Sequence, residues 1–280
     1  MKVTLWGTRG SLPTPGFDTS VYGGNTSCVT VKGGDGTMLV LDAGTGIRRL
    51  GMTIDPSVGR VDILLTHLHL DHIQGLGFFA PLYRPDLDVH IWGPSSTKLD
   101  LRTRLMRYLS PPLFPVRLTE LPCKLTLHEV PRDELQIGSL HVHCAQVCHP
   151  GPTVGYRITD ARGSAVTYLP DHEPALGAQS FPSLPREWTS GGGLAAGCDL
   201  LIHDSQYSTH EYDQRIGWGH SSLRHTLEFG TLTGAKHVVP FHHDPSHADA
   251  DLEKLMQQAI EEVKPAFRVT PAREGMSFEL

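Results

Sequence analysis

Seven consecutive residues, Thr66-His67-Leu68-His69-Leu70-Asp71-His72, restrict this chain more than any other stretch. They follow Val61-Asp62-Ile63-Leu64-Leu65, an apolar run that reads as a buried strand. Gln74-Gly75-Leu76-Gly77 then opens a predicted helix. Three imidazoles and a carboxylate are thus crowded onto a strand-to-helix turn. In extended backbone, residues two apart share a face, so His67 and His69 point the same way. Asp71 and His72 reach the same hollow from the helical side. With 17 His in 280 residues, a chance cluster is the plain alternative. Four ionisable groups directly after a buried strand have no core role, however, and burying them unpaired is costly. The pattern supplies ligands for two metal ions rather than one. Histidine with carboxylate suits zinc, and also manganese or iron.

Strands and helices alternate along the rest of the chain, which points to an α/β layered fold. Residues 3–6 read as a first strand. Residues 27–32 and 37–42 form a hairpin across Gly33-Gly34-Asp35-Gly36, and a helix begins at Ile47. Residues 89–94 are a strand. Residues 97–109 read as a helix whose Lys98, Arg102, Arg104 and Arg107 form a solvated face. The prolines of 110–116 rule out regular structure, and Phe114 after Tyr108 makes the segment either a lid or a dimer contact. Residues 138–148 alternate like a strand that ends at His149. Residues 153–159 and 165–169 pair as a hairpin, followed by Asp171, His172 and Glu173; the last two have no assigned role. Segments of about 95–125 and 173–197 read as insertions. Residues 198–204 are a buried strand. Gly219-His220-Ser221-Ser222 leads into a helix to about Gly234, and 237–241 is the last core strand, ending at His242-His243-Asp244. Residues 248–263 are a terminal helix, and 267–280 read as one closing strand.

Hydrophobic residues make up 39 % and charged residues 19 %, enough for a substantial core in a single domain over 1–280. A net charge of −6 without a Lys/Arg run argues against a long nucleic acid as partner. Five cysteines without a C-x-x-C pair read as reduced thiols of a cytoplasmic protein. Cys144 and Cys148 lie near His141, His143 and His149, but the spacing fits no common zinc module. No stretch approaches the ~18 apolar residues of a membrane span, and the first residues lack a signal-peptide pattern.

The H-x-H-x-D-H motif is the signature of the metallo-β-lactamase-fold hydrolases. The order Asp42, His67-x-His69-x-Asp71-His72, His149, Asp171, His242 resembles that family along nearly the whole chain. The resemblance implies a four-layer αββα sandwich, two mixed β-sheets flanked by helices. It implies two divalent metal ions, Zn2+ ahead of Mn2+ or Fe. His67, His69 and His149 would hold one ion, Asp71, His72 and His242 the other, and Asp171 would bridge them. His243 is the alternative to His242. Asp42 would support the histidine loop from behind; its alternative is a plain turn residue.

Two further segments resemble the ribonuclease Z-like branch. Leu201-Ile202-His203-Asp204-Ser205 is similar to its H-E-A-T segment, and Gly219-His220-Ser221-Ser222 to its G-H-S segment. There an acidic residue orients a histidine that protonates the leaving oxygen of a phosphodiester. The counterparts are Asp204 and His220, with Asp71 helping to orient the attacking water. Asp for Glu shortens the reach by one methylene. The opening Trp6-Gly7-Thr8-Arg9-Gly10-Ser11 and Tyr22-Gly23-Gly24-Asn25 resemble a bacterial group of small phosphodiesterases acting on cyclic nucleotides and phosphoribosyl cyclic phosphates. Ribonuclease Z carries a tRNA-gripping arm between the counterparts of His149 and Asp171, where this chain has only 21 residues. The expectation is a hydrolase of a small cyclic nucleotide or similar cyclic phosphodiester, on which Trp218, Phe114 or Tyr108 could stack. The alternatives are a tRNA 3′-processing endoribonuclease, a thioester or lactone hydrolase, and a metal- or nucleotide-binding sensor without turnover. The expected partner is a small molecule, without a membrane, and a homodimer is compatible with the sequence.

Overall fold

The computed structural model describes residues 1–130, 134–178, 181 and 183–280. The chain builds two sheets, one after the other. Strands β1 (Lys2–Gly7), β2 (Cys28–Lys32), β3 (Met38–Leu41), β4 (Arg60–Leu64), β5 (Asp88–Gly93) and β6 (Lys124–Glu129) form the first sheet. Strands β7 (Glu134–Ile137), β8 (Leu140–Gln146), β9 (Val154–Thr159), β10 (Ala165–Leu169), β11 (Leu200–Asp204), β12 (His237–Phe241) and β13 (Arg268–Val269) form the second. The last strand, β14 (Ser277–Glu279), returns to the first sheet beside β1. Each sheet is half antiparallel and half parallel. β1 to β3 pair antiparallel and β3 to β6 parallel. In the second sheet β7 to β10 pair antiparallel and β10 to β13 parallel.

The inner parallel strands β3, β4, β10, β11 and β12 are largely apolar on both faces because both faces are covered, whereas the edge strands β6 and β13 are half-exposed. Leu5, Leu39, Leu41, Tyr156, Ile202 and Phe241 meet between the sheets. On the outer side of the first sheet, Val40, Val61 and Ile63 pack under α1 (Ile47–Gly51) and the short turns that carry Leu76 and Leu82. The turn helices α2 (Leu70–Ile73) and α3 (Leu101–Leu105) belong to this half. On the outer side of the second sheet, Leu169, Leu201 and Val238 pack with Leu194 of α4 (Gly192–Ala195) and Phe229. After α5 (Thr209–Asp213), the long helices α6 (Leu223–Thr233) and α7 (Asp249–Val263) complete that layer, Leu223 and Leu227 meeting Met256 and Ala259. The expected αββα sandwich is therefore what the chain forms. Ser222 caps α6 by accepting the His225 N–H, and Gly234 ends it in the left-handed conformation at φ +67°.

Four local expectations are corrected. The helix after the histidine run begins at Leu70, inside the motif, rather than at Gln74. The 97–109 helix shrinks to α3, because the Asp100 side chain caps it late by accepting the Thr103 N–H and the chain turns away after Met106. The closing segment is two short strands, one on each sheet, rather than one. Strands β6 and β7 fall in a stretch that the sequence pattern left unassigned. No helix among the described residues is long and apolar enough to cross a membrane.

Candidate dinuclear metal centre

The candidate residues gather at the carboxyl ends of the strands, where α/β sheets place their sites. Asp42 follows β3, His67 to His72 follow β4, His149 lies beyond β8, and Asp171 beyond β10. Asp204 is the last residue of β11, and His242 follows β12. His69 is extended, at φ −65° and ψ 153°, and precedes the first turn of α2. That turn swings Asp71 and His72 inward while Leu70 faces out.

Asp42 sits at φ +58° and is completely buried. Its carboxylate accepts the Thr66 N–H at 2.7 Å, the Tyr168 hydroxyl at 3.0 Å and the Nδ1 side of His72 at 2.8 Å. One carboxylate thus joins the ends of β3, β4 and β10, and it fixes the His72 proton on Nδ1. His72 Nε2 then points at Asp171 Oδ1, 2.9 Å away, and neither atom has a hydrogen-bond partner. His67 Nε2 is buried without a partner as well. Similar bonds orient other rings. His149 Nδ1 lies 2.8 Å from the Gly219 carbonyl and His242 Nδ1 lies 3.0 Å from Gln206 Oε1, so the Nε2 of each faces inward.

These inward atoms fall into two groups. The ligand atoms of His67, His69, His149 and Asp171 lie within 4.8 Å of one another, and so do those of Asp71, His72, Asp171 and His242. Asp171 belongs to both. Its Oδ2 faces His67 at 3.6 Å and His149 at 3.7 Å, while its Oδ1 faces His72 at 2.9 Å and His242 at 3.2 Å. Burial pushes the His67 imidazole well below its usual pKa and takes His149 to about 4, which keeps both neutral, as metal ligands must be. At His72 burial acts the same way, but Asp171, Asp71 and Asp42 outweigh it and raise the pKa well above the usual range. The hollow is therefore built for positive charge. Unpaired, converging nitrogen and carboxylate lone pairs fit two divalent cations, with a His/Asp donor set suited to zinc, manganese or iron.

His243 turns away, its Nε2 2.9 Å from the Ala272 carbonyl. His242 adopts φ +62°, and it lies so close to Gly10 that a Cβ there would sit 2.3 Å from the His242 ring. The Gly10-Ser11 turn also donates the Ser11 N–H to Asp71 Oδ2 at 2.8 Å. His220 stands beside both groups. Its Nδ1 is 2.7 Å from Asp204 Oδ2, and its ring stacks 5.1 Å from that of His242. The shorter Asp side chain makes this contact directly. Burial disfavours the His220 imidazolium, but Asp204, Asp171 and Asp71 outweigh it and raise its pKa to about 9.

A cavity of about 370 Å³ opens beside His67 and His69, lined also by Ile73, Arg104, Arg107 and Tyr108. Lys98, Arg102 and Arg107 are exposed, as a solvated face requires, while Arg104 is half-buried and, with Arg107, borders this cavity. Phe114 is buried against Phe78 and Tyr108, so it anchors 110–116 in the core and cannot stack on a substrate. Trp218 remains exposed. The Cys144 side chain points into the core, while His141 and His143 point to solvent from the same strand, so these residues form no second site. Sequence reasoning missed Gln206, which orients His242, and Tyr168, which holds Asp42, and it gave no role to Thr66 of the histidine run, which also binds Asp42.

Residues 37–243 match the model of the beta-lactamase superfamily domain. The chain belongs to the metallo-β-lactamase-fold hydrolase superfamily. Among its relatives is a ribonuclease Z of Myxococcus xanthus, 26 % identical over 100 % of this chain and 98 % of that one. A diphosphatase of the PhnP family shares the fold with a TM-score of 0.70 at 18 % identity, over 100 % of this chain and 97 % of the other. Unliganded yeast PDE1 does so with a TM-score of 0.68 at 19 % identity, over 100 % and 99 %.

Proposed function

We propose that this protein hydrolyses a small phosphodiester, a cyclic nucleotide or a similar cyclic phosphodiester, at a centre of two divalent metal ions. The observation that carries this reading is the His220–Asp204 pair, set beside both ligand groups. His67, His69 and His149 would hold one ion and Asp71, His72 and His242 the other, with one oxygen of Asp171 for each. When bound, such ions stabilise phosphoryl charge and make water acidic enough to attack near neutral pH. Asp71, itself fixed by the Ser11 N–H, helps to orient the attacking water. Asp204 keeps His220 Nδ1 protonated and stabilises the imidazolium, leaving Nε2–H to be delivered to the departing alkoxide. An alkoxide leaves slowly unless it is protonated, and a positioned acid contributes roughly 10²–10⁴-fold.

The small substrate is supported by what lies between His149 and Asp171. β9 and β10 pair directly, and the tight turn from Asp160 to Ser164 joins them without an arm. The cavity with Arg104, Arg107 and Tyr108 suits a nucleotide-sized substituent. A tRNA 3′-processing endoribonuclease is the second reading, favoured by the ribonuclease Z relatives.

The test is a panel of 3′,5′ and 2′,3′ cyclic nucleotides, bis-p-nitrophenyl phosphate and a tRNA precursor, assayed with metal-loaded protein. Turnover of a cyclic nucleotide with an intact tRNA precursor is expected; the reverse establishes the second reading. His220→Ala should lose about 10²-fold or more on alkyl esters, with a far smaller loss on the nitrophenyl ester, whose leaving group needs no proton. Equal losses on both remove His220 as the acid.

A further inference from the structure

Glu173 is buried, yet among the described residues no Lys or Arg pairs with it. A buried carboxylate needs compensation, and here uncharged donors supply it. Its Oε1 accepts the Tyr212 hydroxyl at 3.0 Å and the Gly217 N–H at 3.0 Å. Its Oε2 accepts the Gly217 N–H at 3.1 Å and the Gly219 N–H at 2.9 Å. Gly217 and Gly219 have φ of +86° and +90°, and this backbone turns both N–H groups toward one anion. The segment cannot move far. A Cβ on Gly219 would lie 2.4 Å from His149 Nδ1, and the Gly219 carbonyl holds that same nitrogen. The next residue is His220. Glu173 is also tied to the end of β8, since its own N–H donates to the Cys148 carbonyl at 2.9 Å.

We infer that Glu173 is a positioning residue: by clamping Gly217 and Gly219 it sets the place of His220 and orients His149, coupling the general acid to the metal centre. The inference rests on the reading of His220 as the acid. The Glu173 carboxylate bonds Tyr212, Gly217 and Gly219, and it is Gly219 that touches His149 and leads into His220, so the carboxylate acts through the loop. A Gln at this position keeps one acceptor but turns an N–H₂ group toward backbone N–H donors, so it restores only part of the clamp.

The experiment compares Glu173→Ala, Glu173→Gln, His220→Ala and the Glu173→Ala/His220→Ala double variant as zinc-loaded full chains. Amide hydrogen exchange at Gly217 and Gly219 should speed up in Glu173→Ala. Its kcat/KM should fall about 30-fold or more on the best alkyl phosphodiester and less than about 3-fold on bis-p-nitrophenyl phosphate, as expected when a general acid is misplaced. The double variant should be no slower on the alkyl ester than His220→Ala, because both changes remove one function. Zinc affinity, read by competition with a chelator, should weaken about 10-fold, as for loss of an outer support to a ligating His. Glu173→Gln should fall between Glu173→Ala and the parent. Unchanged exchange at the two glycines overturns the inference, as do equal losses on both esters or additive losses in the double variant. If His220→Ala itself shows no difference between the esters, the acid assignment fails, and glycine exchange with zinc affinity then decides the clamp on its own.

Discussion

The two sheets supply the candidate metal centre in opposite ways. The first delivers four candidate ligands in six residues after β4, and one carboxylate, Asp42, fastens that run near both ends through Thr66 and His72. The second delivers its groups singly. His149, Asp171, Asp204 and His242 come from the ends of β8, β10, β11 and β12, and His220 comes from the turn before α6. Their supports are separate too: the Gly219 carbonyl for His149, Gln206 for His242 and Asp204 for His220. A contiguous set is compact and hangs mainly on one support, the Ser11 N–H adding a second at Asp71, whereas a dispersed set gives each ring a support of its own.

The sharpest way to break this contrast is Asp42→Ala. It leaves the Thr66 N–H, the Tyr168 hydroxyl and the His72 Nδ1–H unpaired in the core, at about 1–3 kcal/mol for each buried donor. We expect metal stoichiometry well below two per chain by atomic emission, near-complete loss of activity and a clearly lower Tm. A variant that keeps two metals and parental activity would show that the run holds itself. Gln206→Ala should do less. It removes one support from one ring, so metal affinity should fall about 10–100-fold at a single site, with the fold intact by circular dichroism. If it costs as much as Asp42→Ala, the dispersed half is no more robust than the contiguous one.

The same contrast explains what could be read from the sequence. The run after β4 is legible because its ligands share one short stretch with fixed periodicity. His149, Asp171 and His242 are single residues at strand ends, and only their order along a familiar fold singles them out. His242 and His243 are not separable on the page. What separates them is the left-handed backbone at His242, which aims one ring at Asp71 and leaves its neighbour on Ala272. Gln206 was not legible at all, and Glu173 stood out beside Asp171 without a role, since polar residues that hold other residues have no spacing rule. The double-sheet core could be anticipated from apolar runs, whereas β6 and β7 could not, because half-exposed strands such as Lys124–Glu129 lack a clean alternation.

The second half also concentrates the buried neutral histidines, which gives it a distinct response to acid. Burial lowers His225 to about 4 and His203 to about 3, and half-buried His237 also falls to about 4, all in the second sheet or its helices. His225 is the cleanest case, 3 % exposed and packed edge-on to Tyr212, away from the metal groups. Its folded pKa lies below the value near 6.5 of an unfolded chain. Between about pH 4 and 6.5 the unfolded state therefore binds a proton that the folded state refuses. Stability is full above the upper value and falls as pH drops toward the lower one, by up to about 3 kcal/mol for this group. His225→Phe keeps an aromatic ring between Tyr212 and Phe181 and removes the titration. Urea unfolding at pH 7, 6 and 5 should show a shallower loss in the variant than in the parent, by at most about 1.4 kcal/mol per pH unit. The difference between the two proteins cancels proton-driven metal release, which they share. Parallel curves would place the acid sensitivity in the metal ligands rather than in the helical layer of the second sheet.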